Sequence, residues 1–228
     1  MLGFWPEGYR CAVFLSFDYD ASSAEMWRTP LDLVSQSRGR FAPRVAVPRI
    51  LEVLAREGLK ATFFTPGWTI DNHPESVAEI LSQGHELGGH GYMHERMTEL
   101  SSEAEESVFE RMMASMERVD VRPEGYRAPY WLVGDRTIGH LKRLGFRYSS
   151  NFMDDDMPYM LCHRGEETGL VELCPSSGCS TTGPSSRRSG GDPRRSTASG
   201  SLSSRASTSW GGTSASPVTH SALGAHPG

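Results

Sequence analysis

Short continuous apolar runs alternate along the first 173 residues with longer stretches of helical period. Arg10 to Phe17 is a run rich in strand formers, short enough to suit a strand buried on both faces. Such a strand implies a parallel sheet covered by helices. From Val47 to Glu57 the apolar positions Val47, Ile50, Leu51, Leu54 and Ala55 form one helical stripe, closed by Gly58 as a C-cap. Lys60 to Thr65 then predicts a second strand, which completes a β-loop-α-β unit. Asp71 to Gln83 repeats the design, with Asp71 or Asn72 as cap, Pro74 in the first turn, a stripe of Val77, Ile80 and Leu81, and Gly84 at the end. His85 to Leu87 is the next short strand. Ser101 or Ser102 with Glu105 forms a capping box for a helix to about Val119, whose Met112, Met113 and Met116 are expected to fill the core. Glu124 to Trp131 predicts a strand stiffened by Pro129, Thr137 to Leu144 a helix stopped by Gly145, and Phe146 onward a further strand.

This α/β alternation, from residue 10 to about 173, predicts a (β/α) barrel or an open relative of one. Polar groups gather at the strand ends, where sites in such folds sit. Asp18 and Asp20 follow the first strand and precede a polar loop running to about Arg44; acids there also serve as turn formers and caps. His90 and His94 follow the Gly-interrupted run Leu87-Gly88-Gly89, which predicts a strand and a tight turn into a helix. Four residues apart on a helix, the two rings leave one face and can converge on a metal ion. Arg127, at another strand end, is placed to hold a carboxylate ionised and oriented. Asp154, Asp155 and Asp156 predict a solvated loop.

Composition divides the chain. Residues 174–228 hold 16 Ser, 6 Thr and 9 Gly, but four residues in all from Val, Ile, Leu, Met, Phe, Trp and Tyr. Five Arg against one Asp give this stretch +4, so residues 1–173 carry −9 of the net −5. An acidic body argues against nucleic acid as a partner. Neither a basic leader with a short apolar core nor an apolar run of about 18 residues is found, so the expectation is a cytoplasmic protein with no membrane partner. Cys11, Cys162, Cys174 and Cys179 make no CxxC pair and are expected to be free thiols.

Three ordered segments, Ser16-Phe-Asp-Tyr-Asp20, His90-Gly-Tyr-Met-His94 and Arg127-Ala-Pro-Tyr130, resemble the first three motifs of the polysaccharide deacetylases, carbohydrate esterase family 4 with its NodB homology domain. Lys60-Ala-Thr-Phe-Phe and the Gly-His-Glu-Leu-Gly approach to His90 are similar to it as well, so that the likeness spans roughly residues 8 to 173. It implies a distorted (β/α) barrel and hydrolysis of N-acetyl groups or related amides with Zn2+ or another divalent metal. Asp20, His90 and His94 would be the metal ligands, Asp18 the general base, Arg127 its orienting partner, and the Tyr130 backbone N–H an oxyanion donor; Asp18 and Asp20 are exchangeable in this assignment. Asp18-Tyr19-Asp20 departs from the adjacent Asp-Asp of most members and is similar to the subgroup of peptidoglycan-deacetylase-like and allantoinase-like proteins. The implied substrate is an N-acetylated oligosaccharide or a small amide. A cyclic-amide hydrolase of allantoinase or imidase type and an inactive carbohydrate-binding relic are the alternatives, and homo-oligomers are compatible with each.

The resemblance also implies a catalytic His in a Leu-Thr-x-His-Pro motif beyond residue 173. His220 and His226 lie in no such motif. Residues 174–228 are therefore expected to be either a disordered tail or the product of a shifted reading frame, leaving the barrel incomplete. One coding permitted for residues 174–186 yields Pro-Val-Glu-Trp-Leu-Leu-Asp-Asp-Trp-Pro-Gln-Phe when read from its third base. The same shift at residues 215–228 permits Leu-Thr-Cys-His-Pro. With the frame shifted, the 228-residue chain is expected to be poorly folded and largely inactive.

Overall fold

The computed structural model describes residues 12–26, 32–155 and 157–175. Cys11, Asp156, Cys179 and the readings of the Ser-rich tail lie outside the described residues. Within them, β1 (Ser16–Asp18), β2 (Thr62–Thr65), β3 (Glu86–Gly89), β4 (Gly125–Tyr126), β5 (Tyr148–Ser149), β6 (Tyr159–His163) and β7 (Glu166–Glu172) form one sheet in the order β1-β2-β3-β4-β5-β7-β6. Every neighbouring pair is parallel except β6 with β7. The helices are α1 (Ser23–Met26), α2 (Leu33–Phe41), α3 (Val47–Arg56), α4 (Gly67–Asn72), α5 (Pro74–Ser82), α6 (Ser102–Glu117) and α7 (Asp135–Leu144).

The expected α/β class holds, with a mainly parallel sheet whose central strands are covered on both sides. All four residues of β2 are buried, and Phe63 and Leu87 pack with Leu51, Leu54, Ile70, Val77, Ile80 and Met116. A second cluster joins Met112 and Phe109 of α6 to Tyr126, Ile138, Leu141, Leu161 and Leu170. Met112 and Met116 of α6 thus fill core as expected, and Met113 packs half-buried against it. Ser101 caps α6 by accepting from the Ala104 N–H at 3.2 Å, and Gly145 ends α7 in the left-handed region at φ 80°. No helix among the described residues is long and apolar enough to cross a membrane.

Several expectations are corrected. The predicted polar loop to Arg44 is helical from Leu33, running through a π-helical turn at Ala42–Ala46 into α3. Pro43 cannot donate into the ladder, and the wider turn lets the helix continue past it. No stripe announced α2, since Leu33, Val34 and Phe41 are all exposed. Asp71 does not cap α5; its carboxylate accepts from Arg118, Tyr92 and Ser115. The strand expected over residues 124–131 is confined to β4, and Pro129 opens a 3-10 turn over Pro129–Trp131. In place of further β/α alternation, β6 and β7 form a hairpin through Arg164 and Gly165, both at positive φ. The described strands therefore form an open sheet, with β1 and β6 at its two edges.

Candidate active site

Four neighbouring strands, β1 to β4, bring the candidate groups to their C-terminal ends. Asp18 ends β1, His90 follows β3 and Arg127 follows β4. Beyond β1 the chain stays extended for two residues, because the Tyr19 N–H donates to the Phe64 carbonyl at 2.8 Å and prolongs the ladder with β2. Alternation along extended backbone sends Tyr19 one way and its two neighbours the other. Tyr19 enters the core, and its hydroxyl lies 2.5 Å from Ser76 Oγ; Asp18 and Asp20 face the site together. An intervening residue is thus what puts both carboxylates on one side. Ala21 at φ 50° then turns the chain away.

Asp20, His90 and His94 each offer a ligand atom, and the three atoms lie within 4.8 Å of one another. His90 Nε2 is 3.4 Å from Asp20 Oδ1, and His94 Nε2 is 3.5 Å from Asp20 Oδ2. Both imidazoles are buried. The pair does not sit on a helix, which corrects the predicted turn-to-helix geometry. Residues 90–96 form an irregular loop, with His94 itself at φ 61°. Its carbonyls at Gly91 and Tyr92 accept from the first two N–H groups of α4, those of Gly67 and Trp68, at 3.0 and 2.9 Å. Thr69, one residue further on, donates its hydroxyl to the Asp20 carbonyl at 2.7 Å. One short helix therefore holds both ligand-bearing segments.

The donor set suits a divalent cation. His90 Nδ1 is 2.6 Å from the Arg127 carbonyl. A carbonyl can only accept, so Nδ1 carries a proton, and when the ring is neutral its Nε2 lone pair faces the site. Asp20 Oδ1 and His90 Nε2, which face each other at the cluster, are buried without a hydrogen-bond partner among the described residues. Polar atoms left this way are costly unless an unseen partner satisfies them. Burial and then the neighbouring His90 charge push the His94 pKa down to about 4, so this ring is neutral across the physiological range. Burial opposes charge on both Asp20 and His90. Their mutual contact outweighs it, lowering the Asp20 pKa and, with the Asp18 charge, raising that of His90. Two imidazoles and a carboxylate are a set that Zn2+ takes with a coordination position left open.

Asp18 stands beside this cluster. Its Oδ1 accepts from Arg127 Nη1 at 2.6 Å, and among the described residues its other oxygen has no partner. The guanidinium is fixed on all sides. Nε donates to the Ser150 carbonyl at 3.2 Å and Nη2 to the hydroxyls of Ser150 and Ser16 at 2.8 and 2.9 Å, while the plane lies 4.2 Å from the Phe64 ring centre. Tyr130, at φ 57° and ψ 12°, places its ring edge-to-face on His94, centroids 4.4 Å apart. Trp131 is also left-handed. Four of the six described non-glycine residues at positive φ, Ala21, His94, Tyr130 and Trp131, thus border this one site. Each such conformation costs on the order of 1–3 kcal/mol, and strain of this kind gathers where a site is pre-organised.

All six residues singled out in the sequence, Asp18, Asp20, His90, His94, Arg127 and Tyr130, are brought together. Asp154 and Asp155 are not; Asp154 accepts from the Tyr159 hydroxyl at 2.6 Å in an exposed loop. Thr69 and Ser150 escaped sequence reasoning because single hydroxyls at strand and helix ends carry no pattern, and Ser16 entered only as part of a motif, with no role assigned to it.

The family model for polysaccharide deacetylase matches residues 12–149. A peptidoglycan deacetylase of Helicobacter pylori is 36% identical over 125 residues, 54% of this chain and 43% of that protein. The peptidoglycan deacetylase-like protein FGM2 of Gibberella zeae is 31% identical over 173 residues, 73% of this chain and 51% of its own. The chain thus spans about half the length of these curated relatives. A solved Mycobacterium smegmatis structure classed with the polysaccharide deacetylases superposes with a TM-score of 0.71 at 38% identity, covering 76% of this chain and 62% of that one. A PuuE allantoinase shares the fold, with a TM-score of 0.61 at 22% identity over 75% of this chain and 63% of its own.

Proposed function

The chain belongs to the polysaccharide deacetylase family, and from that premise we propose that its site carries out metal-dependent removal of the acetyl group from an N-acetylated saccharide. The observation that carries the reading is the convergence of Asp20, His90 and His94, ligand atoms within 4.8 Å, beside an acid fixed by a buried arginine. Asp20, His90 and His94 hold the ion, Zn2+ or another divalent metal. When bound, it polarises the amide carbonyl and lowers the pKa of water. Asp18 takes up the proton of the attacking water, and Arg127 keeps that carboxylate aimed. The Tyr130 N–H, carried on a left-handed turn against His94, stabilises the developing oxyanion. The relatives are named for peptidoglycan, which supports peptidoglycan or its fragments as the substrate class. Cytoplasmic residence and homo-oligomers belong to the same proposal, checked by fractionation and light scattering.

The first test is metal content. Purified protein should take up about one Zn2+ per chain, and H90A and H94A should each lose stoichiometric binding. Acetate release from N-acetylated chitooligosaccharides and peptidoglycan fragments is then compared with opening of small cyclic amides, with and without chelator. The measurement uses the 228-residue chain and the chain continued in the alternative frame. Chelator-insensitive opening of cyclic amides with no acetate released would reverse the reading.

A further inference from the structure

The loop between the two histidines has no regular structure to hold it, yet it must present His90 and His94 to the same carboxylate. Glu95, the residue after His94, answers to this requirement. Its Oε2 accepts the Tyr92 N–H at 2.9 Å and its Oε1 the Met93 N–H at 2.8 Å, so both oxygens are spent on the loop that precedes it. Among the described residues Glu95 forms no ion pair, although Arg96 beside it pairs with Glu99. The carboxylate packs down on Gly91, where a Cβ would stand 2.9 Å from Oε2 and the backbone lies at φ 70°. Glycine is thus required at 91 both for conformation and for room.

The loop is consequently pinned from two sides. Helix α4 takes the carbonyls of Gly91 and Tyr92, and Glu95 takes the N–H groups of Tyr92 and Met93. Remove the second set and the backbone leading into His94 loses ties that help hold His94 in its left-handed conformation, an uncommon one for a non-glycine residue. We propose that Glu95 is a positioning residue for the metal centre: its carboxylate holds the 91–93 backbone in the conformation that turns His90 and His94 toward Asp20. This rests on the metal-binding reading of the site. Groups one step removed from a metal change affinity through the orientation of its ligands, commonly by about 10- to 100-fold.

Zn2+ affinity of the full chain, measured by competition with a chromophoric chelator, tests the proposal alongside the thermal midpoint of the metal-free protein. E95A is expected to weaken Zn2+ binding about 10- to 100-fold. E95Q removes the same charge but keeps one acceptor oxygen, and should fall between E95A and wild type. Equal losses in the two variants would mean that Glu95 acts through charge alone and would overturn positioning. A folded E95A with wild-type affinity overturns it too, even if its midpoint falls, because that is the mark of a purely structural residue. Should E95A fail to fold, E95Q and E95D decide together: E95D keeps the charge on a shorter arm, so reduced affinity in both supports the role and wild-type affinity in E95D ends it. Wild-type protein that binds no Zn2+ removes the metal reading itself, whereas loss confined to the variants leaves that reading intact.

Discussion

Arg127 and Asp18 are 109 residues apart in sequence and 2.6 Å apart in the fold, and their contact joins the two ends of the four-strand arc on which the site is built. The guanidinium is 6% exposed and the carboxylate 29%. Losing the arginine therefore strands the buried Ser150 hydroxyl, the half-buried Ser16 hydroxyl and a carboxylate that still reaches solvent. R127M should lower unfolding free energy by roughly 2–4 kcal/mol, less than for a fully buried pair because Asp18 is partly hydrated. Urea unfolding of the two proteins measures this. An unchanged midpoint would show that the network around Arg127 is dispensable for the fold.

Thr69 makes a more selective prediction. Its hydroxyl donates to the Asp20 carbonyl at 2.7 Å, and the residue is fully buried. T69V keeps the shape but leaves that carbonyl without its side-chain donor, costing about 1–2 kcal/mol. Because Asp20 is displaced with it, Zn2+ affinity should fall about tenfold or more, while T69S retains both. Equal Zn2+ affinities for T69V and T69S would show that the tie does not reach the ligand.

How much of this was legible in the sequence depends on how local each cause is. Asp18, Asp20, His90 and Arg127 could be picked out because each ends a strand whose apolar run is visible in the chain. The form of the His90–His94 segment could not, since a spacing of four suits a helix and a loop equally. What decides between them, the Gly67 and Trp68 N–H groups, arrives from α4 more than twenty positions earlier. The β6–β7 hairpin was missed for another reason: its strands expose Met160 and Cys162 as well as burying Leu161 and Leu170, so the alternation is blurred. Arg164-Gly165 was the one local clue to it.

The shift in composition at residue 174 yields a prediction that needs no protein. Sequencing the coding DNA around codon 173 should show one base gained or lost relative to a frame that continues with Pro-Val-Glu-Trp and later Leu-Thr-Cys-His-Pro. A chain made in that frame gains a histidine to protonate the leaving amine, a role worth about 10²- to 10⁴-fold in rate. A single intact frame encoding the Ser-rich stretch, or an equally active 228-residue chain, would remove the idea.

Glu172 offers a test by pH of the network that supports Arg127 from behind. Its Oε1 accepts the N–H groups of Asn151 and Phe152 at 2.6 and 3.1 Å, and the residue is fully buried. Burial raises its pKa, only partly offset by the hydrogen bonds from Ser149, Asn151 and Phe152. In the unfolded chain the group ionises in the usual glutamate range near 4.5. Below that range both states hold the proton, and Glu172 adds no pH dependence. As pH rises from there to the higher folded value, the unfolded state releases its proton first and is favoured, so stability is lost across that interval and then stays level. E172Q cannot ionise but still offers an oxygen to Asn151 and Phe152. Urea unfolding of both proteins from about pH 4 to about pH 8 should therefore show wild type losing stability relative to E172Q as pH rises, whatever the offset between them. Parallel curves would mean that Glu172 is hydrated in solution, and that the buried support of the Ser150-Asn151 turn behind Arg127 is looser than its hydrogen bonds imply.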